Sequence, residues 1–176
     1  MGIFALATLA AHGATYLVWK TRGAVHDRSA LAARRLWPLV LALGAGLTMA
    51  TALTQPAHFA DFARRPWVWP FPALAIACAV LCPRAIAAGQ EGRAFLLSSG
   101  FVGGLLAATT GTLYPVLLRS TIDPRFTLDA FNASSPRATL VIGLIVWLPA
   151  VVLAIGYFTF LYRSFRGKVE TEDQHY

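Results

Sequence analysis

No side chain between Arg137 and Arg163 carries a charge, and the run Ala138–Tyr162 is predominantly apolar. A helix rises about 1.5 Å per residue, so roughly twenty apolar residues cross a hydrocarbon core about 30 Å thick. The run has that length. Arg163, Arg166 and Lys168 follow it directly, and Lys or Arg clustered at the end of a span mark its cytoplasmic side. A buried helix of a soluble protein is the competing reading of one such run, but four more runs behave the same way.

The others are Gly2–Trp19, Pro38–Thr54, Trp67–Leu81 and Ala94–Leu118, and every Lys, Arg, Asp and Glu falls outside the five. The chain is 57% hydrophobic and 13% charged, against about 25% charged in a soluble domain. These features predict an all-α polytopic membrane bundle of five transmembrane helices, one domain over 1–169 with a mobile polar tail over 170–176. If all five runs span, the connections alternate sides. Lys20, Arg22, Arg28, Arg34, Arg35, Arg84, Arg93, Arg163, Arg166 and Lys168 then share one side, ten of the 15 Lys and Arg. The bias makes that side cytoplasmic, with the N-terminus outside and the C-terminus inside. The formal charge of +7 does not point to nucleic acid, because the cations sit at the ends of apolar runs and form no basic face with interleaved aromatics. No basic residue precedes the first apolar run, so it is expected to remain as a helix; its start almost at Met1 suggests a missing upstream region.

Within the first run Thr8, His12, Tyr16 and Trp19 recur at helical spacing, and polar groups in a bilayer turn toward other helices. His12 therefore faces protein, most simply in an interhelical hydrogen bond, with heme or metal ligation and proton relay as alternatives. The connection Thr21–Leu36 reads as a cationic loop at anionic headgroups, with His26 a solvated loop residue. Trp37 and Pro38 read as an interfacial aromatic and a first-turn proline. Gly44, Thr48, Thr51 and Gln55 mark a packing stripe. The connection 55–66 is a short outside loop. Trp67, Trp69, Pro70 and Pro72 open the third run, the weakest span, for which a re-entrant hairpin is the alternative. Cys78 and Cys82 lie on one helix face as buried free thiols. In the fourth run Gly100, Gly104, Ala107 and Gly111 share a face, and Gly100-x-x-x-Gly104 lets another helix approach closely. Tyr114 and Pro115 close that run before an outside loop carrying Asp123, Pro124, Asp129 and Asn132. There is no phosphate loop, no metal-ligand cluster, no nucleophilic triad and no charge inside a span.

Several segments together resemble subunit II of the cytochrome bd-type quinol oxidases. His12-Gly13-Ala14-Thr15-Tyr16-Leu17, with Lys20-Thr21 and Gly23, is similar to that family's His/Gln-Gly-Ala-x-Tyr-Leu helix end. Ser98-Ser99, Tyr114-Pro115, Ser120-Thr121 and Asn132-Ala133-Ser134-Ser135 with Thr139-Leu140 resemble its last outer loop. Tyr162-Arg163, then Phe165-Arg166-Gly167-Lys168-Val169, resembles its cytoplasmic exit. The likeness covers only the second half of the subunit; the Trp-Asp-Gly-Asn segment and intramembrane acids of the first half have no counterpart here.

The resemblance implies an accessory, non-catalytic subunit of an oxidase of the bacterial inner membrane that oxidises quinol, reduces O2 to water and contributes to the proton-motive force. It implies no cofactor bound by this chain: hemes b and d and quinol belong to the heme-bearing subunit I, against which subunit II packs. The partners would be subunit I, the N-terminal half of subunit II and the lipid bilayer. His12, Gly100, Gly104 and Asn132 are then helix-packing or loop-fixing residues, with no catalytic, cofactor-binding or metal-binding residue among them. Half of a secondary transporter, with a midplane site between repeats, and a membrane scaffold docking a soluble partner are the alternative functions.

Overall fold

The computed structural model describes residues 1–165 and 167–170. They fall into two compact units, Met1–Leu113 with the segment from Lys168, and Tyr114–Gly167, where the sequence reading takes 1–169 as one domain. Arg166 and, of the tail expected over 170–176, all but Glu170 lie outside the described residues; Glu170 itself pairs with Arg22, strand to strand. The first unit contains α1 (Gly2–Lys20), β1 (Thr21–Arg22), α2 (Ala24–Thr54), α3 (Pro56–Ala63), a 3-10 turn at Pro66–Val68, α4 (Pro70–Ala87) and α5 (Glu91–Leu113). The second contains the antiparallel pair β2 (Val116–Leu118) and β3 (Leu128–Asp129), followed by α6 (Arg137–Ser164). In the first unit β4 (Val169–Glu170) runs parallel to β1, with Thr21 opposite Val169. Among the described residues, five helical segments are long and apolar enough to cross a membrane: α1, α2, Pro66–Ala87, α5 and α6.

The ends of these helices correct several sequence expectations. The loop expected over Thr21–Leu36 is helical from Ala24 onward. That segment is rich in Ala, Leu and Arg, all strong helix formers, and Asp27 lies in the first turn, where the helix dipole favours an anion. Pro38 consequently sits inside α2 instead of in a first turn. With 31 residues, α2 reaches about 46 Å, longer than a hydrocarbon core, so its charged first turns project past the apolar part. The loop at 55–66 contains α3, opened by Pro56. The third run is one continuous helix through Pro83 and Arg84, not a re-entrant hairpin. The fourth begins at Glu91, not Ala94, and ends at Leu113, short of Leu118. Pro115 cannot donate to the helix and its ring clashes with the preceding turn, so the chain leaves α5 through a cis Tyr114–Pro115 bond into β2. Ser98 and Ser99, read as part of the outer-loop pattern, lie within α5.

The core of the first unit gathers Ala7 and Ala11 of α1, Trp37 and Val40 of α2, Ala75, Cys78 and Cys82 of α4, and Phe101 of α5. Lipid tails are as apolar as these side chains, so association in a bilayer depends on close packing and on hydrogen bonds between helices. Trp37 shows both. Expected at the interface, it is 1% exposed and stands edge-on to Phe101, with ring centroids 5.5 Å apart. Its polar atom has a partner in α4: Pro83 has no N–H to give the carbonyl four residues back, and that carbonyl, on Ala79, accepts from Trp37 Nε1 at 3.3 Å. Arg65 performs a similar service at the end of α5, where Nη1 donates to the carbonyls of Gly111 (3.2 Å) and Thr112 (3.0 Å) that the helix leaves unpaired. Thr48 and Thr51, read as part of a packing stripe, turn their hydroxyls onto their own helix, donating to Gly44 O and Leu47 O, the standard way to satisfy a hydroxyl in a span. Gly44 of that stripe meets a neighbour tightly: a Cβ there would lie 3.3 Å from the Phe4 ring.

Candidate functional site

The polar face of α1 meets α5 at Ser98. His12 Nδ1 lies 2.8 Å from Ser98 Oγ, and Thr15 Oγ1 lies 3.0 Å from the same oxygen. Ser98 can also donate to Phe95 O at 2.8 Å, and Thr15 to His12 O at 2.7 Å. Each hydroxyl has one hydrogen to give, so the contacts cannot all be made at once, and two of the possible arrangements differ in the proton on Nδ1. In one, His12 Nδ1–H donates to Ser98 while both hydroxyls donate to backbone carbonyls. In the other, Thr15 donates to Ser98 and Ser98 donates to an unprotonated Nδ1. The imidazole is held flat against Phe95, centroids 5.2 Å apart and planes 24° apart, and Trp19 stacks on Phe95 at 5.3 Å. One further turn along α1, the Thr8 hydroxyl is buried and has no hydrogen-bond partner among the described residues.

A second polar cluster closes the end of the unit where α1 passes to α2 and α4 to α5. His26, read as a solvated loop residue, sits in the first turn of α2, and its Nε2 lies 3.0 Å from Glu91 Oε1 at the start of α5. Its Nδ1 lies 3.1 Å from Asp27 Oδ1. Only the imidazolium donates at both nitrogens. Glu91 also pairs through its other oxygen with Lys168 Nζ. The reading of His26 as solvated fails because its partner stands far along the chain, on the other hairpin. Between this cluster and Thr15 lies a cavity of about 90 Å³ lined by Thr15, His26, Arg34 and Glu91 together with apolar Val18 and Ala85.

The two glycines face α4. A Cβ at Gly100 would stand 2.7 Å from Cys78 Sγ; one at Gly104 would stand 3.0 Å from both Ala75 N and Phe71 O. Cys78 and Cys82 are free and buried. Asn132 belongs to the second unit, where its Oδ1 accepts from Asp129 N at 2.8 Å and its Nδ2 donates to Thr127 O at 2.8 Å. Asp129 Oδ1 in turn accepts from the N–H groups of Phe131 and Asn132, so the two side chains clamp one turn. Of the four residues singled out in the sequence, His12, Gly100 and Gly104 thus lie on helix contacts within the first unit, and Asn132 in a loop of the second. The sequence reading missed Thr15 and Ser98 as partners of His12, and Glu91 as the partner of His26. Thr15 lies three residues after His12, a helical neighbour, and that spacing was the available signal. Among the described residues no three His, Cys, Asp or Glu side chains gather as a metal site would require.

The family model for cytochrome bd terminal oxidase subunit II matches residues 1–165. A relative from Haemophilus influenzae, named "Probable cytochrome oxidase subunit 2", is 25% identical over 194 aligned positions, which cover 96% of this chain and 51% of the relative. The chain therefore spans about half the length of that curated relative. With the family match running from the first helix to the end of the last, the chain belongs to the cytochrome bd terminal oxidase subunit II family.

Proposed function

We propose that this chain is the C-terminal half of subunit II of a quinol-oxidising, O2-reducing cytochrome bd-type oxidase in a bacterial inner membrane, and that it packs as a non-catalytic element against a heme-bearing subunit I. Hemes b and d and the quinol site reside in that partner, and the other half of subunit II supplies further helices. The family match over nearly the whole chain carries this reading. The N-terminus lies outside and the C-terminus in the cytoplasm. In support, the His26–Glu91 contact, the Lys168–Glu91 pair and the β1–β4 pairing bring three of the connections read as cytoplasmic to one end of the first unit. In this reading His12 fastens α1 to α5, Gly100 and Gly104 admit α4, and Asn132 fixes an outer loop. None of the four takes part in the redox chemistry.

The test is co-expression of the affinity-tagged chain with the remaining half of subunit II and a heme-bearing subunit I. The expected result is recovery of a complex with a heme spectrum and quinol-dependent O2 uptake, and of a heme-free chain when it is expressed alone. Heme in the isolated chain, or no association with subunit I, would overturn the proposal.

A further inference from the structure

The cavity beside His26 and the hydroxyl pair beside His12 belong to one continuous set of polar groups. Thr15 is common to both: its side chain lines the cavity and reaches Ser98 Oγ, which reaches His12 Nδ1. At the outer end stand His26, Asp27, Glu91, Lys168 and Arg34, the titratable and charged groups that α2, α5 and the β4 segment bring to the cavity mouth. At the inner end Ser98 and Thr15 hydrogen-bond to His12, Phe95 stacks on it, and Thr8 continues the polar face with a buried hydroxyl that has no partner among the described residues. A volume of about 90 Å³ holds about three waters at roughly 30 Å³ each, and a buried water needs two to four polar partners, which this lining provides. We infer that the first unit contains a hydrated half-channel, through which protons exchange between the aqueous end of the bundle at His26 and Glu91 and the His12 imidazole within α1, by way of Thr15 and Ser98.

The transfer is a concerted shift along hydroxyls. A cavity water gives a proton to Thr15 Oγ1 as Thr15 gives its own to Ser98 Oγ and Ser98 gives its own to His12 Nδ1; His12 becomes imidazolium and the cavity is left one proton poorer. The hydroxyl hydrogens can then turn to Phe95 O and His12 O while Nδ1–H donates to Ser98 Oγ; the file is poised again once the imidazolium gives up its proton and the hydroxyls turn back. This inference goes beyond the proposed function and does not depend on which complex the chain joins.

The test uses the full chain in lipid bilayers, labelled with 15N at histidine and tryptophan, and follows magnetisation from water to the ring N–H groups by solid-state NMR. The expected result is build-up at His12 several-fold faster than at Trp37, the buried indole bonded to Ala79 O. Thr15→Val should slow it about fivefold and Thr15→Ser should restore it. Ala33 of α2 also lines the cavity; Ala33→Leu, which fills it and leaves every hydroxyl in place, should slow build-up comparably, with unchanged Trp37 signals reporting an intact fold. A His12 build-up no faster than that of Trp37, or one indifferent to both Thr15→Val and Ala33→Leu, would overturn the half-channel.

Discussion

The contact between α4 and α5 can be tested glycine by glycine, because three neighbouring glycines of α5 meet three different environments. A methyl at Gly100 would stand 2.7 Å from Cys78 Sγ, and the next atom, Cys78 Cβ, is 4.0 Å away. Contact at low energy needs about 3.5–4.0 Å, so the sulfur must yield by about 1 Å. Overpacking of this kind costs about 1–3 kcal/mol, against a gain of about 1 kcal/mol from replacing a helical glycine by alanine. Gly100→Ala is thus expected to destabilise by about 0–2 kcal/mol. Cys78→Ala removes the one obstructing atom, and in that background Gly100→Ala should stabilise by about 1 kcal/mol, giving a favourable coupling of about 1–3 kcal/mol. Gly104 differs because its obstacles are backbone atoms, Ala75 N and Phe71 O at 3.0 Å. Gly104→Ala should cost about 2–3 kcal/mol, and no side-chain deletion on α4 should recover all of it. At Gly103 nothing lies within 4 Å, so Gly103→Ala should be neutral or stabilising by up to about 1 kcal/mol. Reversible unfolding of the full chain in mixed micelles on addition of SDS, followed by circular dichroism, ranks the variants. The reasoning fails if Gly103→Ala and Gly104→Ala unfold together, or if Cys78→Ala leaves the Gly100→Ala defect unchanged.

In the same assay Trp37→Phe should destabilise by about 1–3 kcal/mol, because it orphans the Ala79 carbonyl; Pro83→Ala in that background restores an N–H donor and should recover part of the loss. Arg65→Ala removes the donor to Gly111 O and Thr112 O and should speed amide exchange over Thr109–Leu113 several-fold, with Arg65→Lys intermediate. Asn132→Asp keeps the acceptor for Asp129 N, loses the donor to Thr127 O and sets a carboxylate beside Asp129. Limited proteolysis between Arg119 and Pro136 should quicken several-fold while α6 stays intact.

The five spans were legible because a charge in lipid is expensive, which empties the spans of Lys, Arg, Asp and Glu and leaves their outlines in the sequence. Gly100 and Gly104 were legible for a related reason: a helix contact in a bilayer needs small residues at helical spacing. Helix ends were not. The charge-free run 94–118 includes residues that pair as β2, since hydropathy cannot separate a span from an apolar strand beside it; Pro115 was the local signal. Ala24–Leu36 looked like a loop because it is charged, yet charge places a segment in water without unwinding it. The burial of Trp37 was not legible because its partners, Ala79 O and the Phe101 ring, lie far along the chain on other helices. His26 was misread for the same reason, its partner being Glu91.

Polar side chains in the first unit divide by where their hydrogen bonds go, and the division says what fixes the bundle. Thr48, Thr51, Thr54, Thr109 and Thr112 return theirs to the carbonyl four residues back and therefore say nothing about a neighbour. Other bonds cross between helices: His12 and Thr15 to Ser98 join α1 to α5, Trp37 to Ala79 joins α2 to α4, Cys82 to Ala94 joins α4 to α5, Arg65 reaches the end of α5, and His26 joins α2 to the start of α5. They occur at both ends and in the middle. Apolar contact with a helix is scarcely better than contact with a lipid tail, so such bonds and the glycine approaches must set the register of the four long helices. α6 is the most apolar span, with mean hydropathy 2.6. Lipid solvates such a surface as well as protein does. Loss of a crossing bond should therefore loosen the first unit, whereas exchanging one apolar residue of α6 for another should leave its own unit unchanged.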